Sequence, residues 1–307
     1  MQTTTNNHTW LNRSEYPFRD NYISLNGVQM HYVDEGKGDA IVFVHGTPSW
    51  TFDFRNQIKE LSKTHRCIAA DHIGFGLSDK PEHYNYSVQQ HSNNLAKLIE
   101  HLQLDSFTLV VHDFGGPIGL NYAIQHPDKI QRLVILNTWL WSTRNEPEFK
   151  KAEPILKSPL LPVLYKYFNF SARFMVKQSW GNKKTLTSEI HRHYKEPFSK
   201  PSERMGTIAF AKALLNEQDF FESLWNKVDV LSNKPTLILW GELDEFVPVR
   251  FAEKFMSKFH HARFQKFNAG HFLQDESQRD VTSAVKTFLL DTSTTFQNTN
   301  GRSMVNV

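Results

Sequence analysis

The run Ala40–Val44 is apolar at every position, which marks a strand covered on both faces rather than one with a solvated side. Further strands are expected at Arg66–Ala70, 107–111, Ile130–Leu136, 236–240 and 263–267. Between them lie segments of helical character at 54–61, 117–125, 249–258 and 278–290, and one at 87–102 for which Ser87 is the cap. Strands that alternate with helices form a mostly parallel sheet covered on both faces, the α/β class. Two shorter strands, 22–25 and 28–33, precede them and are joined by Asn26-Gly27, a strong hairpin turn, so the sheet opens with an antiparallel pair.

The alternation lapses between residues 137 and 219, where aromatic, proline-punctuated stretches of helical period (160–177, 188–194, 202–215) replace buried strands. This reads as a helical cap inserted into the core. The chain therefore divides into a first part of the core, 1–136, the cap, 137–219, and a second part of the core, 220–291. The tail, 292–307, rich in Thr, Ser and Asn, is expected to be disordered.

Composition removes several classes of function. With 307 residues, 39% of them hydrophobic, the chain can bury a large core. Its net charge of +3 is spread over interspersed acidic and basic residues, so no nucleic-acid partner is expected. The single cysteine, Cys67, cannot form an internal disulfide and suits a reducing compartment. Residues 1–13 are polar, and no apolar run approaches the roughly 20 residues of a membrane span. The expectation is a cytoplasmic protein with no membrane partner; the oligomeric state is left open.

In open α/β sheets ligands bind beyond the carboxyl ends of the strands, which directs attention to loops 45–50, 71–79, 113–116, 137–141, 241–248 and 268–272. In Val110-Val111-His112-Asp113-Phe114-Gly115-Gly116 a strand passes through a sharp turn into a helix, and such a turn lifts one side chain, Asp113, clear of the sheet. Asp244 lies in Trp240-Gly241-Glu242-Leu243-Asp244 and His271 in Ala269-Gly270-His271-Phe272. Each has a plainer reading alone: Asp113 followed by Gly115-Gly116 is turn chemistry, Asp244 is placed to cap the helix near Pro248, and His271 is one of 15 histidines. Together they have the order nucleophile, acid, histidine at three strand ends, the order of the α/β-hydrolase triad.

The chain resembles the haloalkane dehalogenase group of α/β hydrolases. The stretches that carry the resemblance are His45-Gly46-Thr47-Pro48-Ser49-Trp50, Gly74-Phe75-Gly76-Leu77-Ser78-Asp79-Lys80-Pro81, His112-Asp113-Phe114-Gly115-Gly116 and, in the cap, Leu186-Thr187-Ser188-Glu189-Ile190-His191-Arg192-His193-Tyr194 leading to Pro197-Phe198. The resemblance implies an α/β-hydrolase fold with an eight-stranded sheet and a helical cap, and a cofactor-independent hydrolase acting on a small apolar halogenated or epoxide substrate with release, in the first case, of a halide ion. In that chemistry the Asp113 carboxylate displaces the leaving group from an sp³ carbon and forms an ester. Water activated by His271 hydrolyses the ester, Asp244 orients His271, and the backbone N–H groups of Thr47 and Phe114 form the oxyanion hole. No organic cofactor or metal is implied.

The sequence departs from the group where the leaving group is received. The residue after the nucleophile is usually Trp, and Asn often stands at the position of Thr47; here the former is Phe114, which has no side-chain N–H. Thr47 offers a hydroxyl, and Trp139, Trp141 and Trp180 are candidate replacement donors, each also a natural core residue. An epoxide needs an acid instead, for which Tyr165, Tyr167 and Tyr194 are the candidates, and β-lactone cleavage is a related alternative. A non-catalytic binding protein of the same fold is the third reading, against which stands the complete triad. Phe52, Phe168, Phe174 and Phe210 are core or pocket residues. Asp79 stands where Gly74-Phe75-Gly76 would need a third glycine to bind a dinucleotide. His191 with His193 and His260-His261 lack the spacing of a helical metal site and read as histidine-rich surface.

Overall fold

The computed structural model describes residues 8–300. Eight strands form one sheet: β1 Asn21–Leu25, β2 Val28–Glu35, β3 Ala40–Val44, β4 Arg66–Ala70, β5 Phe107–His112, β6 Ile130–Leu136, β7 Thr236–Gly241 and β8 Ala262–Phe267. Their order across the sheet is β1-β2-β4-β3-β5-β6-β7-β8. The hairpin β1–β2 is antiparallel and β2 runs antiparallel to β4, while every pair from β4 to β8 is parallel. After β3 the chain moves to β4 on one side, then returns to place β5 on the other. The loops that leave β3 and β5 therefore diverge, opening the crevice in which ligands of such sheets bind.

The continuous apolar runs have the two-faced burial expected of them. Ala40, Val42 and Val44 pack into one core with the helices Val88–His101 and Gly115–Gln125, and Ile41 and Phe43 pack into the other with Arg55–Leu61 and the final helix. Successive side chains of a strand point to opposite faces, so an all-apolar strand requires cover on both. The helix after β4 begins where its cap was expected, with Ser87 Oγ accepting from Gln90 N–H at 3.2 Å.

Only helices occupy the chain between β6 and β7, as the lapse in alternation indicated. Several boundaries differ from expectation. The helix expected at 160–177 breaks at Asn169, whose φ of 52° ends Leu161–Phe168; Asn adopts this left-handed conformation at small cost. A wide helical turn, Ser171–Met175, then leads into Val176–Ser179. Two helices went unread: Pro147–Leu156, masked by its internal Pro154, and Gln218–Trp225, which packs on the core. The last helix runs Gln278–Asn300, beyond its expected end at 290, because a helix anchored by packing propagates through residues that carry no apolar stripe. Of the tail, residues 301–307 lie outside the described residues. His191 and His193 are buried rather than on a histidine-rich surface: His193 stacks on Phe52 at 4.4 Å and His191 Nε2 meets the carbonyl of Ala172 at 2.9 Å.

Candidate active site

Asp113 stands at the bend between β5 and the helix Gly115–Gln125 with φ 51°, a left-handed conformation that costs of order 1–3 kcal/mol in a non-glycine residue. The surroundings hold it there. Asp113 N–H donates to the carbonyl of Asn137 at 3.1 Å, and the Asp113 carbonyl accepts from Thr138 Oγ1 at 2.6 Å and from Gly116 N–H at 2.9 Å. The bend also needs room: a Cβ on Gly115 would come within 2.0 Å of the Val44 carbonyl oxygen, and one on Gly46 within 2.1 Å of Asp113 Oδ2. Glycine at 46 and 115 is thus a condition of the β3 and β5 loops meeting.

The loop after β3 turns Thr47 toward this carboxylate, and Thr47 N–H donates to Asp113 Oδ2 at 2.7 Å. On the other oxygen, Asp113 Oδ1 lies 3.6 Å from His271 Nε2. His271 Nδ1 in turn lies 2.7 Å from Asp244 Oδ2, so the three strand-end residues singled out in the sequence meet in one place. Asp244 is further held by Asn137 Nδ2 on Oδ2 at 2.7 Å and by the N–H groups of Phe246 and Val247 on Oδ1 at 2.8 and 3.1 Å. Burial alone would raise the Asp244 pKa, but His271 and these donors outweigh it and hold the carboxyl below its usual range. Burial opposes the His271 cation in the same way, yet the carboxylates of Asp244 and Asp113 overcome it and raise the imidazole well above its ordinary value.

Asp113, His271, Thr47 and Phe114 form the floor of a cavity of about 140 Å³, and Leu156, Tyr165, Met175 and Leu214 of the inserted helices close it from above. Its size is on the order of the ~150 Å³ apolar cavity that admits benzene in an engineered protein, so it suits a small apolar molecule. Two residues of this lining carry a polar atom that is buried without a hydrogen-bond partner among the described residues: Thr47 Oγ1 and Trp139 Nε1. An unpaired buried donor costs about 1–3 kcal/mol, which is why such groups point to an occupant.

The other tryptophans are committed elsewhere. Trp141 Nε1 donates to Glu146 Oε1 at 3.0 Å beneath Trp225 and Phe251, and Trp180 Nε1 donates to Thr185 Oγ1 at 2.8 Å while its ring stacks on Phe272. Neither lines the cavity. Phe114 stacks on Phe210 at 4.4 Å and meets Trp139 edge to face at 4.9 Å, filling the floor with hydrocarbon. Among the tyrosines, Tyr165 lines the cavity and burial pushes its pKa up to about 12, whereas Tyr167 is 62% exposed and the Tyr194 hydroxyl donates to Asp53 Oδ1 at 2.8 Å, outside the cavity. Phe52 and Phe210 are core residues; Phe168 and Phe174 are exposed.

Sequence reasoning passed over Asn137 and Thr138 as individuals. Their signal was position, at the start of the loop that follows β6. Among the described residues, no group of three or more His, Cys, Asp and Glu side chains is arranged to hold a metal.

A carboxylate on a sharp strand-to-helix turn, a histidine–aspartate pair beside it and helices closing over them have the architecture of a capped hydrolase of the α/β class. Residues 39–278 match the family model described as alpha/beta hydrolase fold, and the chain belongs to that family. It is 35% identical over 289 residues to the cis-3-alkyl-4-alkyloxetan-2-one decarboxylase of Shewanella oneidensis, covering 91% of this chain and 90% of that protein. It is 30% identical over 275 residues to haloalkane dehalogenase 2 of Mycobacterium tuberculosis, covering 88% and 94%. Epoxide hydrolase 1 of Caenorhabditis elegans is 27% identical over 290 residues, covering 87% of this chain and 69% of that protein. The structure of the haloalkane dehalogenase DbeA from Bradyrhizobium elkani superposes with a TM-score of 0.82 over 91% of this chain and 99% of the other, at 22% identity, a likeness of fold. The protein is thus a hydrolase of the group that contains haloalkane dehalogenases, epoxide hydrolases and oxetanone decarboxylases.

Proposed function

We propose that the protein hydrolyses small haloalkanes through an ester on Asp113. The observation that carries this reading is the pair of unpartnered donors, Thr47 Oγ1 and Trp139 Nε1, on residues that line the same cavity as Asp113. A halide is a weak base that leaves without a proton and needs only hydrogen-bond donors in an apolar site. Thr47 N–H occupies Asp113 Oδ2, which leaves Oδ1 to attack the carbon bearing the halogen. The C–O bond forms as the carbon–halogen bond breaks, and halide departs toward Trp139 and Thr47.

The ester removes the negative charge of Asp113, one of the two carboxylates that raise the His271 pKa. His271 then releases its proton to solvent more readily, so that halide and proton leave together as HX, and the neutral imidazole becomes the base for the second step. Water adds to Asp113 Cγ while His271 Nε2 takes its proton, and the developing oxyanion is received by the N–H groups of Thr47 and Phe114. Collapse releases the alcohol and restores the carboxylate.

A second reading is supported by the 35% identity to an oxetanone decarboxylase. A strained β-lactone opened at its alkyl carbon also releases an anion, a carboxylate, that needs no proton. The epoxide reading has less support, since of three candidate tyrosines only Tyr165 reaches the cavity. Bromide release from short bromoalkanes, abolished in Asp113→Ala, is the expected result. Alkene and carbon dioxide from a cis-dialkyl β-lactone, with no bromide from any bromoalkane, would replace the first reading by the second. In the haloalkane reading, where hydrolysis is the second step, His271→Phe should trap the alkyl group as a mass increase on Asp113; a decarboxylating second step needs no base and should leave no adduct.

A further inference from the structure

The cap carries apolar residues on its outside. Leu160, Val163 and Tyr167 recur at helical spacing on the outward side of Leu161–Phe168, and with Ile155, Phe168 and Phe174 they are 42% to 62% exposed. The inward side of the same helix buries Leu161 and Tyr165. A helix with apolar residues on its outward as well as its inward side is normally covered on both, and an apolar surface of this kind marks an interaction site.

The charge within the segment that carries it has one sign. Between residues 154 and 188 the chain contains Lys157, Lys166, Arg173, Lys177, Lys183 and Lys184 and no acidic residue. Glu153 pairs with Lys157, Glu82 with Lys166, and Lys183 Nζ is taken up by the carbonyls of Lys177, Gln178 and Trp180. Arg173, Lys177 and Lys184 are exposed and have no side-chain partner among the described residues. Arg173 is adjacent to Phe174, whose ring stacks on Phe170, so cation and exposed aromatic share one segment.

We propose that this outer face of the cap docks on an anionic lipid surface, from which the cavity beneath receives apolar substrate. Exposed aromatic and aliphatic side chains with lysine and arginine among them are the chemistry that enters a lipid–water interface and is drawn to acidic headgroups. The absence of a spanning helix does not bear on docking of this peripheral kind. A second copy of the chain fits less well, because a twofold contact through this face would set like charges against each other. The same elements that carry the face also roof the cavity through Leu156, Tyr165 and Met175, so a docked cap places lipid next to the roof. The substrate-delivery part rests on Asp113 as the reacting group; the docking part does not.

Flotation of the full chain with phosphatidylcholine vesicles, with and without phosphatidylglycerol, tests it. Binding is expected only to the phosphatidylglycerol vesicles and should weaken several-fold when salt is raised to about 0.5 M, where charges are screened within a few ångströms. Two double variants, Val163→Asp with Phe174→Asp and Arg173→Glu with Lys177→Glu, should lose flotation while keeping the wild-type circular dichroism and turnover of a water-soluble substrate. No flotation with anionic vesicles, or flotation that both variants retain, overturns the proposal. A solution dimer that the same variants convert to monomer also overturns it and assigns the face to a second copy. Loss of all turnover in the wild type would remove the proposed reaction but leave the flotation result intact.

Discussion

Asn137 Nδ2 lies 2.7 Å from Asp244 Oδ2, the same oxygen that faces His271 Nδ1 at 2.7 Å. Asn137 also bridges β6 to β7, its Oδ1 accepting from Gly241 N–H at 2.7 Å. It therefore favours the charged form of Asp244 and holds its carboxylate in place. A hydrogen bond to a charged group contributes about 1.5–3 kcal/mol. Asn137→Ala should lower turnover roughly 10- to 100-fold, with little change in substrate affinity because Asn137 is not on the cavity wall. Separate measurement of kcat and KM checks this; a change confined to KM would show that Asn137 acts on substrate rather than on the triad.

The shifted pKa values of His271 and Asp244 set a pH dependence whose sign can be worked out. The folded His271 pKa is raised above the ordinary 6.5, so its contribution to stability is complete below about pH 6.5 and is lost as pH rises through the folded value. The folded Asp244 pKa is lowered below 3.8, so its contribution is present above about pH 3.8 and is lost as pH falls through the folded value. Their joint contribution is greatest between those limits. In His271→Gln the raised imidazole is gone, and the gap in melting temperature from wild type should be widest near pH 5 and narrow toward alkaline pH. A gap that widens with rising pH would mean that His271 is neutral in the resting protein.

Trp139→Phe removes one N–H and keeps a ring against Phe114 and Phe221. Removing a donor aimed at developing charge commonly lowers the rate about 10²- to 10³-fold. Halide release should fall by that order and inhibition by added bromide should weaken in parallel, while folding is little affected because the deleted N–H has no protein partner. Trp141→Phe and Trp180→Phe should leave bromide inhibition unchanged, since their N–H groups serve Glu146 and Thr185. Equal effects at all three positions would place the anion elsewhere.

How much of this was legible in the sequence follows from the range of the forces involved. β3 is legible to the residue because an unbroken apolar run is a local signal, β4 and β6 because a short apolar stretch of four residues ends each of them, and Ser87 because a cap acts within three residues. The meeting of Asp113, Asp244 and His271 was legible because strand ends converge in a parallel sheet. Which tryptophan lines the cavity was not, since Trp139, Trp141 and Trp180 are equally buried and the cavity that Trp139 alone of them lines is assembled from residues as distant as Thr47, Leu214 and His271. The break at Asn169 and the burial of His193 escaped for the same reason: the carbonyl of Phe198 that receives Asn169 Nδ2 and the ring of Phe52 come from distant parts of the chain.

Beneath the cap, Arg55 is buried and bound through two nitrogens to Asp275, each bond 2.8 Å. Burial disfavours the Arg55 cation, but the facing carboxylate outweighs it and raises the guanidinium above its ordinary value. Tyr194, from the cap helix Ser188–Lys195, donates to Asp53 at 2.8 Å and lies 3.1 Å from Asp275 Oδ2. Gln274 donates to Asp53 at 2.7 Å and meets His112 Nδ1 at 3.2 Å, and His112 Nε2 reaches the carbonyl of His271 at 2.9 Å. The cap, the strand β5 and the backbone of the His271 loop thus share one buried network. Removing one partner of a buried ion pair leaves the other uncompensated, at a cost of about 3–5 kcal/mol. Asp275→Asn should therefore lower the melting temperature by on the order of 10 °C. Tyr194→Phe keeps the ion pair and deletes one hydroxyl, so its loss should be about 1–3 kcal/mol. Thermal unfolding of the two variants separates these contributions: Asp275→Asn should be the less stable, and equal melting temperatures would mean that the Arg55–Asp275 pair is screened by water rather than buried.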